Sequence, residues 1–80
     1  MTNTALLKKK IQERGIKIGF LVKKLNTSYS WLNQKIENKR DFKAWEIVAM
    51  CEALEITDLE ERDQIFFARN VEKSSTKERK

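Results

Sequence analysis

The sequence predicts an all-α domain of five short helices packed on one core. Apolar residues recur at helical spacing in successive stretches, and three of these stretches are preceded by a residue able to cap a helix. The chain has no proline and only Gly15 and Gly19, which leaves little turn chemistry for a sheet. Its 80 residues suffice for a single core, not for a second domain or a deep enzyme cleft. The domain is expected over residues 1–70, followed by a disordered basic tail at 71–80 with almost nothing apolar to bury.

Asn3 or Thr4 can cap a first helix from about Ala5 to Arg14, ended by Gly15 in a left-handed conformation. Leu7 and Ile11 are its core contacts and Leu6 lies near the edge, while Lys8, Lys9 and Lys10 cover much of the remaining surface. Ile18, Leu21, Val22 and Leu25 follow the i, i+3, i+4, i+7 rule and form the buried face of a second helix, about 18–25. Asn26-Thr27-Ser28 makes a tight turn, because Asn tolerates a left-handed backbone and Ser28 is a good N-cap. The third helix, about 29–37, has a narrow apolar seam of Leu32 and Ile36. Residues 38–42 lead to a fourth helix from about Ala44 to Leu54, with Ile47, Met50, Cys51 and Leu54 inward and Phe42 plugging the core from the loop. Thr57-Asp58-Leu59-Glu60 is a capping box that starts a fifth helix at Asp58, running to roughly Arg69. Leu59 and Phe66 are expected on its inner face, with Ile65 and Phe67 to either side.

Charge is divided unevenly along the chain. Residues 1–40 carry ten cations and two anions, a balance of +8; residues 41–70 carry three cations and eight anions, a balance of −5; the last ten residues add +2. A basic end of this kind attracts a polyanion, and nucleic acid is the leading partner.

Much chemistry is missing. With no histidine and one cysteine, a zinc site lacks ligands and a nucleophile lacks its usual base. Glu60, Glu61 and Asp63 read as a solvated face, and Cys51 as a small core residue. No metal, cofactor or small-molecule substrate is expected, nor an enzyme. The longest wholly apolar run, Ile47 to Cys51, is far short of the ~20 residues that span a bilayer. A lone cysteine forms no internal disulfide, which suits the reducing cytoplasm.

The spacing Ile18–Val22–Asn26–Leu32, with Leu25, Ser28, Ile36, Lys39, Leu54 and Ile56, resembles the helix-turn-helix of phage-repressor and Cro-like regulators, also called the xenobiotic-response-element type. The resemblance covers about residues 5–68, and the run from Lys35 to Phe42 looks like a variant found in small phage regulators of Gram-positive hosts. It implies a lambda-repressor-like five-helix fold with the helix from Tyr29 to about Glu37 as the recognition helix. Three positions depart from the pattern. Ile18 stands where the family usually has a phosphate-contacting Gln, leaving that contact to backbone N–H groups or Lys17. Asn26 and Asn38 replace frequent glycines.

With Leu32 and Ile36 inward, Ser30 and Gln34 point outward, Asn33 lies on one flank and Tyr29 in the first turn. The family's base-reading positions fall on these same residues. Gln and Asn pair with adenine, Ser with several bases, and Tyr meets a thymine methyl or a phosphate. Lys35, Asn38, Lys39, Arg40 and Lys43 are expected to clamp phosphates around this helix, with Lys17, Thr27 and Ser28 from the other side. Trp31 sits away from the seam, either in the groove contact or against the loop. The expected function is a sequence-specific regulator of double-stranded DNA, a small phage or mobile-element repressor of the Cro type. Such a protein works as a homodimer at least on DNA, and Ile65 and Phe67 are candidates for its dimer surface. The alternatives are a protein-interaction module on the same fold, an antirepressor or adaptor with Trp31, Trp45 and Phe67 as anchors, or the antitoxin of a toxin–antitoxin pair.

Overall fold

A computed structural model describes residues 1–68; the expected basic tail and Arg69 lie outside the described residues. Five helices follow one another: α1 (Thr4–Arg14), α2 (Ile18–Lys24), α3 (Tyr29–Ile36), α4 (Ala44–Leu54) and α5 (Leu59–Phe66). No strand occurs among the described residues. The all-α, five-helix architecture is the one the periodicity predicts.

The caps explain why the helices start where they do. The Asn3 side chain accepts from the Leu6 N–H, Ser28 from Trp31 and Asp58 from Glu60, each satisfying a donor that the first turn leaves without a partner. Four of the five helices end by one device. Among the described residues, Gly15, Asn26, Asn38 and Glu55 are those with positive φ, at 67°, 52°, 65° and 57°. After each, the next N–H bonds a carbonyl five residues back: Ile16 to Ile11, Thr27 to Val22, Lys39 to Gln34 and Ile56 to Cys51. This is the Schellman arrangement, which satisfies the last carbonyls and turns the chain sharply. Gly15 and the two asparagines suit the left-handed backbone; Glu55 bears its steric cost.

The core is built from Leu7 and Ile11 of α1, Leu21 and Leu25 of the α2 segment, Leu32 and Ile36 of α3, and Ile47, Met50 and Leu54 of α4. Ile56 and, from α5, Ile65 and Phe66 complete it. Helix α1 packs against α3, α4 and α5, and α2 against α3 and α4, so α3 rests on two helices. Ile18, Val22 and Cys51 are half-buried at the core margin, and Phe42 meets Phe66 edge-on with ring centroids 5.4 Å apart.

Helix α5 departs from expectation. It ends at Phe66, and Leu59 is 65% exposed, whereas Ile65 is 2% exposed. The inward side is centred between Ile65 and Phe66, because only the C-terminal half of this short helix lies over the core. Leu59, at its first turn, instead borders a shallow groove with Val48 and Ile56. Ile65 is therefore a core residue and not a dimer contact; Phe67 remains 54% exposed.

The segment before α1 ties distant parts together. Asn3 N–H donates to the Ile65 carbonyl at 2.7 Å, and the Ala68 N–H to the Met1 carbonyl at 2.9 Å. Thr2 N–H donates to Asn38 Oδ1 and Thr4 Oγ1 to the Ile36 carbonyl. The end of α3 is thereby stitched to the start of the chain. Arg14 does the same for α4, its Nε donating to the Leu54 carbonyl at 2.8 Å.

Candidate nucleic-acid interface

Helix α3 carries the candidate site, and its phase divides the side chains cleanly. Leu32, Lys35 and Ile36 are buried. At 100° per residue the opposite side falls on Ser30 and Gln34; Ser30 is exposed and Gln34 half-buried. Tyr29, 62% exposed, and Asn33 occupy one flank. They border a groove shared with Lys8, Ile11 and Ile18, which places the start of α2 beside this end of α3.

Trp31 and Arg40 occupy the other flank. The Arg40 guanidinium lies over the Trp31 ring, 4.1 Å from its centroid, while Nε donates to Gln34 Oε1 at 2.9 Å. An arginine from the exit loop thus folds back onto the outer surface of α3. This contact packs Trp31 against the exit loop, through the loop's arginine.

Lys35 is the clearest correction. Expected on a phosphate, it is 5% exposed, and its Nζ lies 2.7 and 2.6 Å from the two carboxylate oxygens of Glu46, itself 4% exposed. A cation so enclosed does not reach a phosphate. Glu46 also accepts from the Lys43 N–H at 2.7 Å, so one carboxylate caps α4 and anchors α3. Sequence offered two signs of this. Glu46 is the third residue of α4, where an acidic side chain reaches back to the cap. The two-residue seam of α3 also left Lys35, one turn after Leu32, at its edge. Asn38 is engaged as well: it is half-buried and its side-chain oxygen holds the Thr2 N–H.

The remaining residues expected on phosphates are distributed as follows. Lys17 is the residue before α2 and Lys43 the residue before α4; Lys39 and Arg40 follow α3; all four are exposed. Ser28 caps α3, and Thr27, half-buried, closes the turn through its N–H.

Ion pairing sharpens the charge map. Of the ten cations in residues 1–40, five are paired: Lys8 with Glu37, Lys10 with Glu61, Arg14 with Glu55, Lys24 with Glu52 and Lys35 with Glu46. The exposed ones among these pairs add little stability, but together the five cancel basic charge on α1 (Lys8, Lys10, Arg14), α2 (Lys24) and α3 (Lys35). Lys9, Lys17, Lys23, Lys39, Arg40 and Lys43 form no ion pair among the described residues. Of these six, Lys17 immediately precedes α2 and Lys23 lies in its last turn, Lys39 and Arg40 lie in the loop after α3, and Lys43 immediately precedes α4.

Elsewhere the chemistry is sparse. Burial pushes the half-buried Cys51 thiol above its ordinary value, opposed by Arg62 and reinforced by Glu61, the reverse of what a nucleophile needs. Among the described residues no group of three or more His, Cys, Asp or Glu is arranged to hold a metal ion, and no helix is long and apolar enough to cross a membrane. Compared with known proteins, the chain matches no family model, no curated protein and no solved structure.

Proposed function

We propose that this chain is a sequence-specific double-stranded DNA-binding regulator of the Cro-like helix-turn-helix kind, with α3 as its recognition helix. The observation that carries this reading is the division of α3. One side is fixed to the core by Leu32, Ile36 and the Lys35–Glu46 pair, and the other is polar and bordered by unpaired cations. A helix with its side chains is about 10–12 Å across, which suits a major groove of ~12 Å width. Tyr29, Ser30, Asn33 and Gln34 are the base-facing set. Lys17, Lys39 and Lys43 contribute phosphate contacts that fix register.

One such helix covers half a site, so a two-fold dimer on half-sites ~34 Å apart is proposed. Phe67 is the candidate contact that stays exposed. A gel shift with random duplex at low salt tests the central reading. Binding should weaken steeply with salt, and Lys39→Ala should reduce the log–log slope by about one unit. Gln34→Ala should cost roughly 1–3 kcal/mol on a selected site and little on random duplex. The absence of any shift would favour the second reading, a protein-interaction module. That reading draws on the exposed Trp45, Val48, Leu59 and Phe67.

A further inference from the structure

We propose that Arg40 is a guanine-reading group and not one more phosphate contact. This rests on α3 being the DNA-facing helix, and it names what that helix would select. Two contacts fix the guanidinium: the Trp31 ring beneath it, at 4.1 Å, and the Nε bond to Gln34 Oε1. Trp31 on its flank and Gln34 on the outer side of α3 lie 60° apart at the helical angle of 100° per residue. A group held by both therefore sits over the outward surface and not at the periphery of the loop.

The chemistry of the held group matters. With Nε engaged, both Nη nitrogens keep their N–H donors in a rigid planar fork. In the major groove that fork matches the O6 and N7 acceptors of guanine. A phosphate clamp needs only a mobile cation, and lysine serves as well. A guanidinium held in place before binding loses less side-chain freedom on contact, a gain for a geometry-dependent bidentate pair. No carboxylate among the described residues neutralises Arg40, although Glu37 and Asp41 are close in the chain. Gln34 then acts as part of the same reader, since its carbonyl oxygen already supports the arginine.

The test begins by selecting bound duplexes from a random pool with the wild-type chain. Each guanine of the selected site is then replaced singly by 7-deazaguanine, which lacks the N7 acceptor but still pairs. In the wild type, one guanine per half-site should be sensitive, its replacement weakening binding about tenfold. Arg40→Lys keeps the charge and alters an exposed side chain, so its fold should match the wild type by circular dichroism. It should lose about tenfold on the selected site, keep its affinity for random duplex and its salt slope, and become indifferent to that replacement. Trp31→Ala should reduce the same discrimination while leaving Arg40 present. A selected site without guanine, or Arg40→Lys weakening selected and random duplex equally, would overturn the proposal and leave DNA binding by α3 standing. Failure of the wild type to bind any duplex at low salt would overturn both.

Discussion

Replacing Lys35 by Met tests how α3 is anchored. The substitution keeps the aliphatic stem that packs beside Leu32 and Ile36 but removes the ammonium, leaving the Glu46 carboxylate, 4% exposed, with only the Lys43 N–H of its present donors. Breaking a buried pair from one side costs about 3–5 kcal/mol, because the surviving charge is neither hydrated nor neutralised. Total stability for 80 residues is roughly 4–12 kcal/mol at ~0.05–0.15 kcal/mol per residue. The loss is therefore a large share of the whole. At ~4–8 °C per kcal/mol for a domain of this size, Tm should fall by roughly 12–40 °C. Urea unfolding followed by circular dichroism measures the free energy directly. The double variant Lys35→Met, Glu46→Gln removes both charges while keeping an acceptor for the Lys43 N–H, and should recover most of the loss. A single variant within about 1 kcal/mol of wild type would show that the pair is not desolvated. A double variant no better than the single would show that the orphaned carboxylate is not the cause.

Other perturbations probe separate parts of the fold. Leu32→Ala, at a fully buried position on α3, should cost about 2–5 kcal/mol in chemical denaturation; a loss under 1 kcal/mol would mean that the site collapses around the void. Glu55→Gly relieves a left-handed glutamate and should stabilise by up to about 1 kcal/mol, the steric relief of ~1–2 kcal/mol being partly offset by glycine's entropy. Destabilisation would show that the exposed Arg14–Glu55 pair outweighs the strain. The Cys51 thiol, held above its ordinary value chiefly by burial, should react with iodoacetamide more slowly in the folded protein than in urea; equal rates would contradict that environment. Because the unfolded thiol ionises first, the folded state should also lose stability as pH rises through the alkaline range, and not as it falls.

The sequence disclosed most of the frame because its signals are local. Helical spacing placed all five elements, and Gly15, Asn26 and Ser28 marked helix ends through backbone preferences that need no partner. Glu55 gave no such sign: a glutamate adopts the left-handed state only because Ile56 is drawn into the core behind it and Arg14 holds the carbonyls of Leu54 and Glu55. On α5 the spacing places Phe66 inward as observed, but it also places Leu59 there. Leu59 stands exposed because only the C-terminal half of the helix lies over the core.

The candidate site divides along the same line. Periodicity alone set Ser30 and Gln34 opposite Leu32 and Ile36, since the phase of a helix follows from its own residues. The burial of Lys35, the stacking of Arg40 on Trp31 and the pairing that removes half the basic charge of residues 1–40 all join residues from different elements. The linear order of charges counts lysines but does not say which of them meet a carboxylate. Local propensity is written into neighbouring residues; partners separated by a turn or a helix exist only once the chain has folded.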